Sequence, residues 1–474
     1  MIPTTLRRSD ALDALRGLAI LLMVLSGSIH FPDPLPAWMY HAQVPPPDFK
    51  FDPNLPGITW VDLVFPFFLF AMGAAFPFGL TKRLESGVSL WTIIFQSVLR
   101  GLMLVAFAIF LQHTKPFLFS SDPTALDWVI GLLAFGVMFL LFMRHPASWS
   151  RQQGIILRSA GLVTGLVILT LLTFPDGTGF LITRSDIIII VLANVAVFGS
   201  LLWVATRNNI LLRLGVLGIL MALRLTQSIE GSWNQWLWTA SPFPWMYKLY
   251  YLQYLFIVIP GSIAGDLIHG WINQKEPEAA GTDGLSRNSM LMLFGVMVSV
   301  LVITVAGLFA REVLLTMAAD AALLAFAYTL LRRGLSAYER LLTSLFRWGT
   351  FWLLLGFFFE AYEGGIKKDR ATVSYYFVTS GLAVYCYIAF SIIADRFRKS
   401  APIALLVDNG KNPMIAYVAG NVLILPILSL TSLNLLLNAM VVSPWLGFLK
   451  GVIFTLLVAF VTQFFTKKGL FWRT

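Results

Sequence analysis

Apolar runs of about 18 residues or more recur from one end of this chain to the other, the length a helix needs to cross a hydrocarbon core roughly 30 Å thick. They fall at roughly 14–31, 58–80, 92–112, 125–143, 154–174, 186–205, 208–225, 249–271, 290–309, 313–331, 341–361, 375–394, 409–430 and 446–466. Within a bilayer no water satisfies backbone N–H and C=O groups, so a chain that crosses through such runs does so as helices. The expected fold is all-α, a polytopic transmembrane helical bundle with about 12 (10–14) spanning helices. Composition supports this, with 58% hydrophobic and only 12% charged residues. The first run, Leu12 to His30, follows Arg7 and Arg8 as a signal peptide's would. It lacks a small-x-small cleavage site and is followed by further spans, so it reads as a retained first helix.

The formal net charge of +10 invites a nucleic-acid partner, but the basic residues argue otherwise. Lys82/Arg83, Arg144/Arg151, Arg207, Lys275/Arg287, Arg332/Arg333/Arg340, Arg396/Arg398/Lys399 and Lys467/Lys468/Arg473 occupy every second loop. That is the positive-inside pattern, which places both termini in the cytoplasm and makes nucleic acid an unneeded partner. Loops 32–57, 113–124, 226–248 and 362–374 then share the opposite face. The chain reads as a single domain over 1–474, with one candidate subdivision: helix groups 1–272 and 288–474, joined by the polar cytoplasmic stretch 273–287, "NQKEPEAAGTDGLSR". The single cysteine, Cys386, lies inside an apolar run, which excludes disulfides and cysteine metal sites within one chain. No metal is expected.

Ionised groups inside hydrocarbon are costly and need a partner or a purpose. Asp62 begins the second run, and His41 precedes it on the same expected face. A carboxylate beside an imidazole fixes its tautomer and raises its basicity, giving a base for a hydroxyl or amine, or a nucleophile. The competing readings are an inert loop histidine and an aspartate at a helix N-terminus. Further polar groups in or beside the runs are Arg16, Arg100, Arg158, Arg224, Asp266, His269, Asp320, Arg347, Glu360, Lys368, Asp408 and Asn412. Asp320 suits a structural pair with an arginine of another helix as well as a functional role. Trp233, Trp236, Trp238 and Trp245 in the third external loop suit an interfacial belt, or stacking on a sugar ring.

The stretch "SDALDALRGLAILLMVL" followed by "HA…GITWVDLVFPFFLFAMG" resembles the membrane-bound heparan-α-glucosaminide N-acetyltransferase family and its bacterial relatives, in a divergent subgroup of the kind catalogued as a domain of unknown function. "GGIKKDRATVSYYFVTSGLA", with Lys368, Ser374 and Tyr375, is similar to the family's lysine-containing external loop, and "NGKNPMIAYVAG", with Asn412 and Tyr417, to a later block. The resemblance implies acetyl transfer from cytosolic acetyl-CoA to an amino sugar or cell-envelope glycan across a bacterial inner membrane. It implies that His41 is catalytic and Asp62 its orienting carboxylate. Asn412, Lys368, Tyr417 and Thr59 would line the acyl or acceptor pocket, and Arg16 would meet the anionic cofactor. The family keeps the histidine close to its "GxT", whereas Gln43 to Pro56 intervene here, so His30 stands as a rival to His41. A lipid bilayer is the constant partner, and a homodimer is compatible with such a chain. Two other functions stay open: a transporter or flippase for a lipid-linked or small anionic substrate, using Asp62, Asp320 and Glu360, and an O-acetyltransferase of envelope polysaccharide.

Overall fold

Each of the apolar runs carries helix in the computed structural model, which describes residues 9–29, 35–144, 149–274, 284–332, 334, 336–396 and 400–473. The chain opens with α1 (Asp10–Ser26), crosses the loop that bears His41, and returns through α2 (Trp60–Ala74) and α3 (Phe76–Glu85). There follow α4 (Leu90–Thr114), the short α5 (Pro116–Phe119), α6 (Ala125–Phe142), α7 (Arg151–Leu171), α8 (Ile187–Thr206), α9 (Ile210–Thr226) and the short α10 (Trp233–Thr239). The second half holds α11 (Leu255–Asn273), α12 (Arg287–Ala310), α13 (Val313–Leu331), α14 (Ala337–Phe358) and α15 (Val373–Ser391). A broken span follows, α16 (Ala401–Lys411), α17 (Pro413–Ala419) and α18 (Leu425–Leu430), then α19 (Leu433–Asn438) and α20 (Pro444–Lys467). Among the described residues there is no strand, and 12 helices are long and apolar enough to cross a membrane. The chain is therefore a multi-pass, all-helical membrane protein. The 17-residue helices α1 and α9 pack among the longer ones.

Helix ends carry orphan donors that a membrane protein must satisfy internally. Ser9 accepts from Leu12 N, Asp186 from Ile188 N and Ile189 N, and capping boxes start α2, α6, α7 and α14. Breaks follow proline: Pro66 lies within α2, Pro77 opens α3, and Pro413 separates α16 from α17.

Burial ranks the helices. The α15 span is 89% buried and stands at the centre, whereas the α7 span is 17% buried and faces outward. Backbones approach closely where glycine allows it. A Cβ on Gly17 would overlap the Leu406 carbonyl and one on Gly410 that of Asp13, so α1 and α16 touch main chain to main chain. Gly73, Gly261 and Gly265 do the same for α2 and α11. α1 and α2 also pack on α15, so helices from either side of 273–287 share one core; residues 275–283 of that stretch lie outside the described residues.

Buried ions find partners. Arg213 donates to Asp266 at 2.7 Å, and Trp203 Nε1 donates to the other oxygen at 2.9 Å. Asp320 takes the Thr304 hydroxyl at 2.7 Å from the neighbouring helix, not an arginine. Trp233 and Trp236 project from one face of α10, 68% and 69% exposed, while Trp238 is buried.

Candidate functional site

The proline-rich stretch after His41 folds into a loop closed at its base. Gln43, fully buried, donates through Nε2 to Leu55 O at 2.9 Å and to Gly57 O at 3.0 Å, and its own carbonyl receives Asp52 N at 2.9 Å. Thr59 Oγ1 donates to Tyr40 O at 2.7 Å. The insertion therefore bulges outward, with Phe51 57% exposed at its tip, and its ends bring His41 back onto the start of α2.

There His41 Nδ1 meets Asp62 Oδ1 at 2.6 Å. A carboxylate only accepts, so Nδ1 carries a hydrogen, and in the neutral imidazole the lone pair is on Nε2. Asp62 is fully buried, and its second oxygen accepts from Thr59 N at 2.9 Å and from Ala42 N at 3.4 Å. The carboxylate is thus both the cap of α2 and the anchor of the imidazole. His41 keeps 36% of its side chain open to solvent.

A tyrosine of α15 repairs the helix that Asp62 caps. Pro66 has no N–H to give to the carbonyl four residues back, which is that of Asp62. Tyr375 Oη of α15 donates to that carbonyl at 2.6 Å instead. Pro260 leaves the Phe256 carbonyl of α11 without its helical donor, and Ser380 Oγ, also on α15, approaches it at 3.4 Å.

Lys368, from the loop between α14 and α15, completes the group. Its ammonium lies 3.2 Å from His41 Nδ1 and 3.4 Å from Nε2. Near-equal distances to both nitrogens put it against the ring, in line with neither lone pair. Gly57 N donates to Ile366 O at 2.8 Å, joining the two loops directly. Gly57 has φ +117°, and a Cβ there would press on the Leu308 carbonyl, so only glycine fits this junction.

His41, Asp62, Thr59 and Lys368 are therefore brought together, while three expected site residues lie apart. Tyr417 Oη donates to both oxygens of Asp186, each at 3.0 Å, and Lys115 Nζ reaches Asp186 at 3.1 Å. Asn412 holds the C-terminal tail, donating to Leu470 O at 2.8 Å and accepting from Trp472 N at 3.3 Å. Arg16 lies beside Asp13 and donates to Gly410 O at 3.2 Å and to Ala71 O at 3.5 Å. Ala71 is nine residues beyond Asp62, about 14 Å along a helix. Between these levels lies a small apolar cavity of about 40 Å³ whose lining includes Ile20, Met23, Phe65, Phe68, Met414 and Tyr417. His30, Arg7 and Arg8 fall outside the described residues.

Sequence reasoning missed Gln43, for which no motif speaks, and Asp186, whose place before "IIII" is the pattern of an N-cap. The model of one protein family, described as Domain of unknown function (DUF5009), matches residues 8–268, more than half of the chain and the part carrying His41 and Asp62. No curated protein matches the chain.

Proposed function

We propose that this chain, which belongs to the DUF5009 family, is an integral membrane acyltransferase that moves an acetyl group from acetyl-CoA to an amino sugar or cell-envelope glycan on the far face of a bacterial inner membrane. The observation that carries the reading is the histidine whose Nδ1 is tied to a fully buried carboxylate and whose ring is accessible beside an ammonium. Such a pair is built for proton abstraction, and a lone loop histidine needs no carboxylate sunk into a helix start.

In this reading the acceptor nitrogen or oxygen attacks the carbonyl carbon of the thioester while His41 Nε2 takes its proton. The C–S bond then breaks, and the CoA thiolate leaves and is protonated. Asp62 stabilises the imidazolium that forms, and Lys368 supplies positive charge where the carbonyl oxygen becomes negative. The donor's phosphates would meet Arg16 and the basic residues of the expected cytoplasmic face, and its arm would run along α2 past the small apolar cavity at Phe65 and Phe68, which has to widen to admit it. With both termini cytoplasmic, His41 faces outward and the donor enters from within.

A transporter is less well supported. Transporter sites sit near the midplane, between broken helices in corresponding positions of two repeats. Here the breaks at Ala75 and Asn412 fall in the second span and in the span before the last, and His41 sits at one end of the bundle. Purified protein given radiolabelled acetyl-CoA and a panel of amino sugars and envelope glycans is expected to release CoA and label the acceptor, and His41→Ala to fall to background. Equal turnover by wild type and variant overturns the assignment.

A further inference from the structure

A buried arginine outside the His41 group holds both sides of the loop that carries Lys368. Arg224, in the last turn of α9, is 7% exposed, and a guanidinium at that depth needs a strong reason and strong partners. Its Nη2 donates to Glu363 Oε1 at 2.7 Å and to Ala371 O at 2.6 Å, and its Nη1 donates to Gln253 Oε1. Glu363 precedes Lys368 and Ala371 follows it, so one planar group holds both arms of the lysine loop. The second Glu363 oxygen accepts from Val373 N at 2.7 Å, and Thr372 N donates to Lys367 O at 3.1 Å, closing the segment on itself. Lys368 is left at the far side of this ring, against His41.

We propose that Arg224 is a positioning residue: by clamping Glu363 and Ala371 it fixes the 363–373 loop so that the Lys368 ammonium rests against the His41 ring. The need is physical. A lysine side chain has four rotatable bonds and loses much freedom when placed, so its backbone must be fixed first. Lysine in place of Arg224 offers one compact ammonium and cannot bond three acceptors in a fork. The proposal gives Lys368 a use through the acyl-transfer reading, but its main test is independent of turnover.

The charged groups that face His41 are Asp62 from α2 and Lys368 from this loop, with Asp369 4.0 Å from the lysine ammonium. An adjacent ammonium disfavours the imidazolium, so removing or displacing it makes His41 easier to protonate. Diethyl pyrocarbonate labels neutral imidazole, and mass spectrometry separates His41 from the other histidines. With Lys368→Met the midpoint of the labelling profile at His41 is expected to move up by about one pH unit. Arg224→Gln is expected to move it the same way, and the double variant to move it no further than Lys368→Met alone. Should Arg224→Gln not fold, Glu363→Gln removes the same ion pair and is expected to give the same shift.

An unchanged midpoint in folded Arg224→Gln or Glu363→Gln, with Lys368→Met shifted, overturns the proposal. So do additive shifts in the double variant, or no shift in any variant. If transfer activity is found, Arg224→Gln is expected to lower kcat about tenfold with little change in KM, and to cost nothing further in a Lys368→Met background. Absence of activity with the labelling shifts intact would sink the acyl-transfer reading and leave the clamp standing.

Discussion

Asp62 has two duties, and they separate under mutation. Asp62→Asn retains the size of the side chain but presents an amide to His41 Nδ1 and Thr59 N, both of which are donors. One contact turns repulsive or the imidazole adopts the other tautomer, so transfer is expected to fall by about 10²–10⁴, read as CoA release in a single turnover. The weakened cap costs about 1 kcal/mol, visible as a lower Tm in detergent. Tyr375→Phe tests the repair of the proline gap. It strands the Asp62 carbonyl in a dry core at a cost of about 1–3 kcal/mol, with a drop in Tm but no new charge in the site. Of these residues, the sequence made Asp62 legible because a carboxylate has no business in an apolar run, and Pro66 announced that the carbonyl four residues earlier lacked a donor. Which hydroxyl would supply it was not legible, because Tyr375 lies 313 residues away. Gln43 left no trace at all: its buried amide matters only because the loop returns, and that return is a property of the folded loop. Gln43→Leu leaves the Leu55 and Gly57 carbonyls without their donor and is expected to displace His41, with a loss of transfer of about 100-fold and a fall in Tm at least as large as that of Tyr375→Phe.

At the scale of helices, the contacts that set the architecture are backbone to backbone. Gly261 and Gly265 are four apart in one apolar run, a small-xxx-small pattern that marks a close helix pair in advance. Gly17 and Gly410 sit alone in their helices, and nothing in either segment points to the other. Gly17→Leu is expected to force α1 from α16 and destabilise the protein by at least 1–3 kcal/mol, measured as a fall in Tm and weaker protection of the α1 amides in hydrogen exchange. Spans were legible wherever runs were long, since the bilayer admits only a helix there. Partners were not, since in lipid an apolar flank reads alike whether it meets protein or hydrocarbon, as the contrast between central α15 and peripheral α7 shows. The same holds for Asn412: Pro413 made a break legible, but the tail it clamps returns from beyond α20.

Over the whole molecule, the alternation of basic loops predicts an orientation that labelling can test. With Cys386, buried in α15, replaced by serine, a cysteine at exposed Phe51 is expected to react with a membrane-impermeant maleimide on intact cells, whereas one at Arg332 reacts only after permeabilisation. Reversed labelling would put His41 in the cytoplasm and remove the need for transfer across the membrane. The family match ends at residue 268, yet the site draws Lys368 from the loop before α15 and the donor to Asp62's carbonyl from α15 itself. His41 and Lys368 are 327 residues apart, which at 5–20 residues per second is roughly 15–65 s of synthesis. During that interval the histidine and its carboxylate are already threaded into the membrane while their cation is still unmade. The nascent chain thus carries an incomplete group, and His41, Asp62 and Lys368 come together only after the central post has been laid beside the first hairpin.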